Sequence, residues 1–308
     1  MGNSAEKFLD FHTLLVIICG IVMGTIARII TLKVDTRQNP SFPSGYFINI
    51  IMGFVAASLG AVAIPALLAK EFTAVTFLTL AIQHFRETRN MEKESLEKLE
   101  HTEYTKRGAA YIDGIAKTFE SRNYIAMLTA LLVVLILLLV ATDGILVNAM
   151  LAAISGTCII YALKSFTKGK IIDDICTIRE GKIAIEQSDL LVDGMYVSNI
   201  LGTHRSRELF LNEGVAFVIE PKKGKFRLTI ENIGQRQAIL FEATRTFGIK
   251  RYAFTRRNFK AGVLIVAFVP IIRDPKAIID VIKETPVLEN SRKIHTIMNT
   301  DLGGTFNG

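Results

Sequence analysis

From Asn123 to Leu163 the only charged side chain is Asp143. It divides two uncharged stretches, 123–142 and 144–163, the first with the core IAMLTALLVVLILLLVA at Ile125–Ala141 and the second closing as a span at residue 164. A helix of about 20 residues crosses a hydrocarbon core of ~30 Å, so each stretch has the length of one membrane span. The short break Thr142-Asp143-Gly144 makes the two spans antiparallel neighbours. Such a pair points away from a single water-soluble core; two buried helices of a soluble protein are the alternative.

Residues 11–32 form a third apolar stretch, with Gly20 and Gly24 at a spacing that lets helices approach closely and with Arg28 near its end, placed to reach the headgroups. No cleavage site or strongly basic leader marks it as a signal peptide. The stretch 44–85 is uncharged to Ala69, is interrupted by Lys70-Glu71 and is apolar again to His84. Basic residues concentrate in 85–122 and after 168, with Lys33 and Arg37 following the first span, and cytoplasmic loops are enriched in Lys and Arg. Keeping all three on one side requires an even number of crossings between residues 43 and 86, hence two legs, 46–63 and 64–85, the second opening at Pro65. This predicts five spans with the N-terminus outside; four spans with the N-terminus inside is the alternative. Charge within spans is confined to their ends (His12, Arg28, Lys70, Glu71), a poor basis for an ion path.

Composition locates the other half of the chain. Of 36 Lys+Arg and 29 Asp+Glu, residues 1–164 hold 14 and 13 and residues 165–308 hold 22 and 16, so the net +7 is about +1 and +6. Half the residues are hydrophobic and the mean hydropathy is +0.36, which excludes a disordered chain. Cys19, Cys158 and Cys176 are isolated, so neither a disulfide framework nor a zinc site is expected.

The segment 85–122, between the spans, is dense in alternating charge. Its first part reads as a solvated helix, with Glu94 and Lys98 as a favourable i,i+4 pair. Its second part holds Tyr111-Ile112-Asp113-Gly114-Ile115-Ala116. Tyr111, Ile112, Ile115 and Phe119 fall on one face at helical spacing; Asp113 is then either a solvent-facing or paired carboxylate or a positioned acid at the membrane surface.

This hexapeptide, YIDGIA, resembles the signature of the YIEGIA family of endospore-forming bacteria, and the length, the multi-span first half and the basic C-terminal domain resemble that family across essentially the whole chain. Asp113 stands where the naming motif has Glu, one methylene shorter. The resemblance implies an integral membrane protein of sporulation, in the forespore membrane, with a part in regulated turnover of a sporulation regulator. It leaves open whether the protein is a scaffold or a protease with unconventional residues.

From Lys168 the pattern becomes that of a cytoplasmic α+β domain. Strands are expected at 214–220, 226–231, 252–255 and 262–271. Phe226, Leu228 and Ile230 alternate with polar residues, and Pro221–Lys225 would join the first two strands as a hairpin. Helices are expected at 234–247, closed by Gly248, and at 275–284, capped by Asp274 with Pro275 in its first turn. The order is approximately β-β-α-β-β-α, with further short strands near 182–187 and 190–197. The expected organisation is a transmembrane domain over 1–168 with the insert 85–122, an α+β domain over 169–289 and a tail over 290–308.

Lys222, Lys223, Lys225, Arg256, Arg257 and Lys260 supply much of the basic excess. They read as solvated surface or as lipid-attracting groups, and no nucleic-acid-binding motif accompanies them. No hydrolase, zinc-protease or nucleotide signature occurs, so no cofactor or metal is expected. The candidate catalytic groups are Asp113, His204 and Ser206, the last two in the polar loop Gly202–Ser206; Ser155-Gly156 reads as helix packing. The lipid bilayer and a protein partner or substrate are the expected partners.

Overall fold

A computed structural model describes residues 11–35, 43–70, 72–140 and 144–292. Two compact units form: residues 1–92 with 116–168, and residues 93–115 with 169–308. The insert expected over 85–122 thus divides between them. The Thr142-Asp143 turn, Arg37, Glu71 and most of the expected tail lie outside the described residues.

In the first unit the helices are α1 (Phe11–Asp35), α2 (Pro43–Leu68), the first part of α3 (Phe72–Leu99), most of α4 (Ala109–Val140) and α5 (Ile145–Phe166). Among the described residues, four helical stretches are long and apolar enough to cross a membrane, by length and composition: Phe11–Leu32, Tyr46–Leu68, Ala109–Val140 and Ile145–Phe166. Pro65 does not open a second leg. It lies inside α2, which runs on to Leu68 and stops where Ala69 N–H bonds Pro65 O at 2.9 Å and Lys70 turns to φ +57°. With 64–68 taken up by α2, the apolar part of α3 that remains before Arg86 is shorter than a span requires.

Small residues set the packing of this unit. A Cβ on Gly20 would lie 2.5 Å from Val134, one on Gly24 2.6 Å from the Ala126 carbonyl oxygen, and one on Gly60 2.1 Å from the Met127 carbonyl oxygen. The two glycines of α1 therefore do serve close helix contact. Ala27, Ala57, Ala61 and Ala130 continue the same apolar core with Val133, Val134 and Leu137. Arg28 does not reach outward as expected. It is 1% exposed, its stem lies where a Cβ on Gly53 would sit, and its guanidinium donates to Asn49 Oδ1 at 3.0 Å. The room left by Gly53 and the acceptors of Asn49 make an inward rotamer possible. Ser155 donates to the Leu151 carbonyl at 2.6 Å, and Gly156 packs on Met23.

The second unit is built on a four-stranded antiparallel sheet of order β1-β5-β7-β6, with β1 Cys176–Glu180, β5 Val215–Pro221, β6 Arg251–Asn258 and β7 Val263–Val269. Val215 pairs with Phe268 and Cys176 with Pro221. A second antiparallel sheet joins β2 (Ile183–Glu186), β3 (Asp189–Val192) and β4 (Met195–Ser198). The helices are α6 (Ile172–Ile175), α7 (His204–Glu213), α8 (Gly224–Glu231), α9 (Ile233–Phe247) and α10 (Pro275–Glu284).

Both faces of the central sheet are covered. Val215, Phe217, Ile219, Leu264, Val266 and Phe268 pack under α8, α9 and α10. Ala216, Val218, Ile265 and Ala267 pack against Leu190, Val192 and Phe210. That is why β5 and β7 read as continuous apolar runs rather than alternating ones.

Two expectations of the α+β order are corrected. Residues 226–231 are not a strand and 221–225 not a hairpin: the segment is helix α8. Both flanks of β5 are already paired, to β1 and β7, so no edge is open to a further strand. As helix the segment buries Ile230, packs Phe226 on the core and joins Arg227 Nε to Glu231 at 2.9 Å. The observed order also adds β1 and α7, so β-β-α-β-β-α is too short. The helices expected at 234–247 and 275–284 recur within a residue, capped by Asn232 and by Asp274, whose carboxylate accepts Ala277 N–H at 3.1 Å.

The Cys176 thiol faces this core. Burial pushes its pKa up to about 12, against a small opposing effect of Lys222, so the reactive thiolate is suppressed. Cys176 is expected to resist iodoacetamide at pH 8 in the native protein and to react fully in denaturant, read by peptide mass spectrometry; native-state alkylation would contradict its placement.

Asp193 latches the smaller sheet, accepting Lys182 N–H at 2.7 Å and pairing with Arg179 at 2.5 Å, while Arg179 also reaches Glu220 at 2.9 Å. Desolvation raises its pKa, but the Lys182 bond and Arg179 outweigh this and hold it below the ordinary carboxyl value. A lowered carboxyl stabilises above the unfolded value, about 3.9, and that contribution is lost as pH falls from there through the folded value. Protection of the Lys182 amide, corrected for intrinsic exchange, should fall across that window. Asp193→Asn should remove the step; a step that persists would contradict the latch.

Candidate functional site

The signature segment opens α4, and the second unit holds its first residues against α9. Gly108 precedes the helix at φ +82°, where a side chain would be strained, and a Cβ there would meet Gln237 Oε1 at 2.3 Å. The Glu100 carboxylate accepts the Arg107 and Gly108 N–H groups at 2.8 and 3.2 Å, and Arg107 pairs with Glu103 at 3.0 Å. This turn fixes the direction in which α4 starts.

Tyr111 is 3% exposed. Its hydroxyl donates to Glu242 Oε1, and its ring meets Phe241 edge-on with centroids 6.2 Å apart. Glu242 Oε2 lies 3.5 Å from Arg245. The Arg107 guanidinium covers the Phe241 ring at 4.6 Å, and the Thr105 and Thr244 hydroxyls meet at 2.5 Å. Ile112 and Ile115 are buried, and the helix backbones approach where a Cβ on Gly234 would lie 2.6 Å from Ala110. Gln235 completes the wall: buried, it bonds Pro286 O at 3.0 Å, Leu288 N–H at 2.8 Å and the Ser291 hydroxyl at 3.1 Å.

The arrangement is a clasp between two helices, with a buried, charge-assisted hydrogen bond at its centre. The apolar face read from Tyr111, Ile112, Ile115 and Phe119 is buried throughout. Gly114 lies close to Leu288, 3.6 Å from where its Cβ would be, and Ala116 is buried in the first unit. Asp113 is half-buried, in the same helix.

His204 and Ser206 are not in a loop. They open α7, whose N-cap is Thr203. The Ser206 hydroxyl donates to the Thr203 carbonyl at 2.7 Å and accepts from the Thr203 hydroxyl at 3.0 Å, so it serves the helix start. The His204 side chain is 84% exposed, and its Nδ1 faces Glu208 at 3.5 Å. The two side chains are engaged with Thr203 and Glu208 rather than with each other.

Sequence reasoning missed Phe241, Glu242, Thr244 and Arg245. Their signal is in QAILFEATRTF: Ala238, Phe241, Glu242 and Arg245 follow the i, i+3, i+4, i+7 rule of one helix face, and a carboxylate amid buried apolar positions calls for a buried partner.

The whole arrangement lies within a region of established likeness. The family model described as YIEGIA protein matches residues 16–297. The chain is 39% identical over 294 residues to the uncharacterized protein YphB of Bacillus subtilis (strain 168), covering 92% of this chain and 96% of that protein. No solved structure matches the chain.

Proposed function

This chain belongs to the YIEGIA family, and from that premise we propose that it is a multi-pass membrane protein of sporulating cells that controls the stability or activity of a sporulation regulator. It does so as a scaffold. Its apolar helices cross the forespore membrane, its α+β unit lies on the cytoplasmic side, and the YIDGIA segment fixes the start of α4 within that unit.

One observation carries this reading: Tyr111, from the segment that names the family, is spent on a buried bond to Glu242 and on Phe241. Its chemistry is structural, holding the segment to α9. The positions of His204 and Ser206 favour the scaffold over a protease, since Ser206 serves the α7 cap. Four crossings put the N-terminus and the α+β unit on one side, with the segment 85–108 and its six Lys/Arg on that side too, and leave Lys33 and Arg37 on the other.

The test uses purified full-length protein in detergent with a candidate regulator. The regulator should bind and remain intact, and its control in sporulating cells should be lost with Tyr111→Ala but kept with His204→Ala and Ser206→Ala. Cleavage by the purified protein that disappears in a folded Asp113, His204 or Ser206 alanine variant would replace the scaffold by a protease.

A further inference from the structure

The turn between β6 and β7 presents a large apolar ring in a field of positive charge. Phe259 stands at its tip, 59% exposed. The Arg257 guanidinium lies 4.6 Å over the ring, Arg227 donates to the Phe259 carbonyl, Lys260 follows it exposed, and Arg256, also exposed, lies over the Tyr196 ring at 5.3 Å. The turn is held firmly. Asn258 Oδ1 accepts the Lys260 and Ala261 N–H groups at 3.0 and 3.1 Å, Gly262 N–H bonds Asn258 O at 2.8 Å, and Gly262 supplies the positive φ.

Among the described residues, the charge here exceeds that of the carboxylates paired with it. Glu231 is bonded to Arg227 at 2.9 Å. Arg236 is held below its usual pKa range first by burial and then by the nearby charge of Arg257, with Glu231 acting the other way. The Arg236 Nε finds no hydrogen-bond acceptor among the described residues.

We propose that this turn is a docking site for anionic lipid headgroups, through which the α+β unit lies against the bilayer surface. An exposed aromatic ring flanked by guanidinium and ammonium groups matches the membrane interface, where the ring enters the acyl boundary and the cations meet lipid phosphates. The occupant is set by the tether as well as by charge. The same chain carries four helices able to cross a bilayer, the last ending at Phe166, so the unit is confined near lipid. A single-stranded nucleic acid, the other polyanion, uses rows of aromatic platforms, and here one ring stands at the tip. None of Tyr111, Phe241 and Glu242 takes part, so this docking and the clasp fail independently.

The test places a polarity-sensitive fluorophore at the tip by Ala261→Cys, in full-length protein carrying Cys19→Ala and Cys158→Ala. The protein is reconstituted into nanodiscs of phosphatidylcholine alone or mixed with phosphatidylglycerol. Emission should shift to the blue and be quenched by spin-labelled lipid in the anionic discs only. The shift should be lost with Phe259→Asp, lost again with the separate pair Arg256→Glu and Lys260→Glu, and weakened by added salt. The same label at Gln187, in the turn of the smaller sheet, should remain water-like. Water-like emission at the tip in anionic discs, an equal shift in both lipids, or an equal shift at Gln187 would overturn the proposal.

Discussion

Tyr111→Ala should destabilise the second unit by about 3–5 kcal/mol, the usual cost of deleting a buried aromatic ring. Tyr111→Phe should cost about 1–3 kcal/mol, because it keeps the ring and leaves the Glu242 oxygen buried without its donor. The loss should be local. Hydrogen exchange in the full-length protein should show α9 amides losing more than about a hundredfold protection in the alanine variant, at a tenfold change per 1.4 kcal/mol, with Phe intermediate. Glu242→Gln, which keeps an acceptor, should be milder than Glu242→Ala. Wild-type protection of α9 in Tyr111→Ala would remove the ring from the place described.

Gly60→Leu should be the most damaging single change in the apolar unit. A Cβ at this position meets the Met127 carbonyl oxygen at 2.1 Å, and backbone cannot step aside as a side chain can. Overpacking a close-packed interior costs about 1–3 kcal/mol, and with a backbone obstacle the expected cost is about 3 kcal/mol or more, seen as loss of the monodisperse peak in detergent and a lowered Tm. Gly156→Ala is the contrast. Its obstacle at 2.4 Å is the terminal methyl of Met23, a flexible side chain, so the expected cost is about 1 kcal/mol. Equal effects, or a worse effect at Gly156, would show that the approach of α2 to α4 is looser than described.

These two sites differ in how far the sequence foretold them. The apolar helices were legible because length and absence of charge suffice to mark them; the distribution of Lys and Arg asks for two legs over 44–85, with Pro65 opening the second. Proline interrupts an interior hydrogen bond, but placed in the last turn of α2 it left the helix running to Leu68. In the α+β unit, β5 and β7 were legible as uninterrupted apolar runs. Residues 226–231 were not, because the alternation of Phe226, Leu228 and Ile230 fits a strand while Phe226 and Ile230 also fit an i,i+4 helix face. Pairing decided between them: β5 had no free edge. The strand CTIRE was missed because Cys176 is its one fully buried residue, with Ile178 only partly buried on the core, and α7 because Thr203, read as loop, is a cap.

The signature segment was legible as a position and not as a partner. Spacing gave the buried face of Tyr111, Ile112 and Ile115, but α9 lies more than a hundred residues further along the chain, and no local pattern ties Tyr111 to Glu242. Asp113, the residue at which this chain departs from the naming motif, is half-buried, while the hydrogen bond at the centre of the clasp belongs to Tyr111. The change from Glu to Asp thus leaves that bond in place.

The clasp itself is open to a direct measurement. The Thr105 and Thr244 hydroxyl oxygens are 2.5 Å apart, which brings the two Cβ atoms near the spacing a disulfide needs. Thr105→Cys with Thr244→Cys, in full-length protein carrying Cys19→Ala and Cys158→Ala and kept in native membranes, should cross-link under mild oxidation. Thr105→Cys with Thr246→Cys, on the exposed side of α9, should not. A Thr105–Thr244 cross-link that fails to form, or forms no faster than the Thr246 control, would contradict the account that the signature segment is clasped to α9.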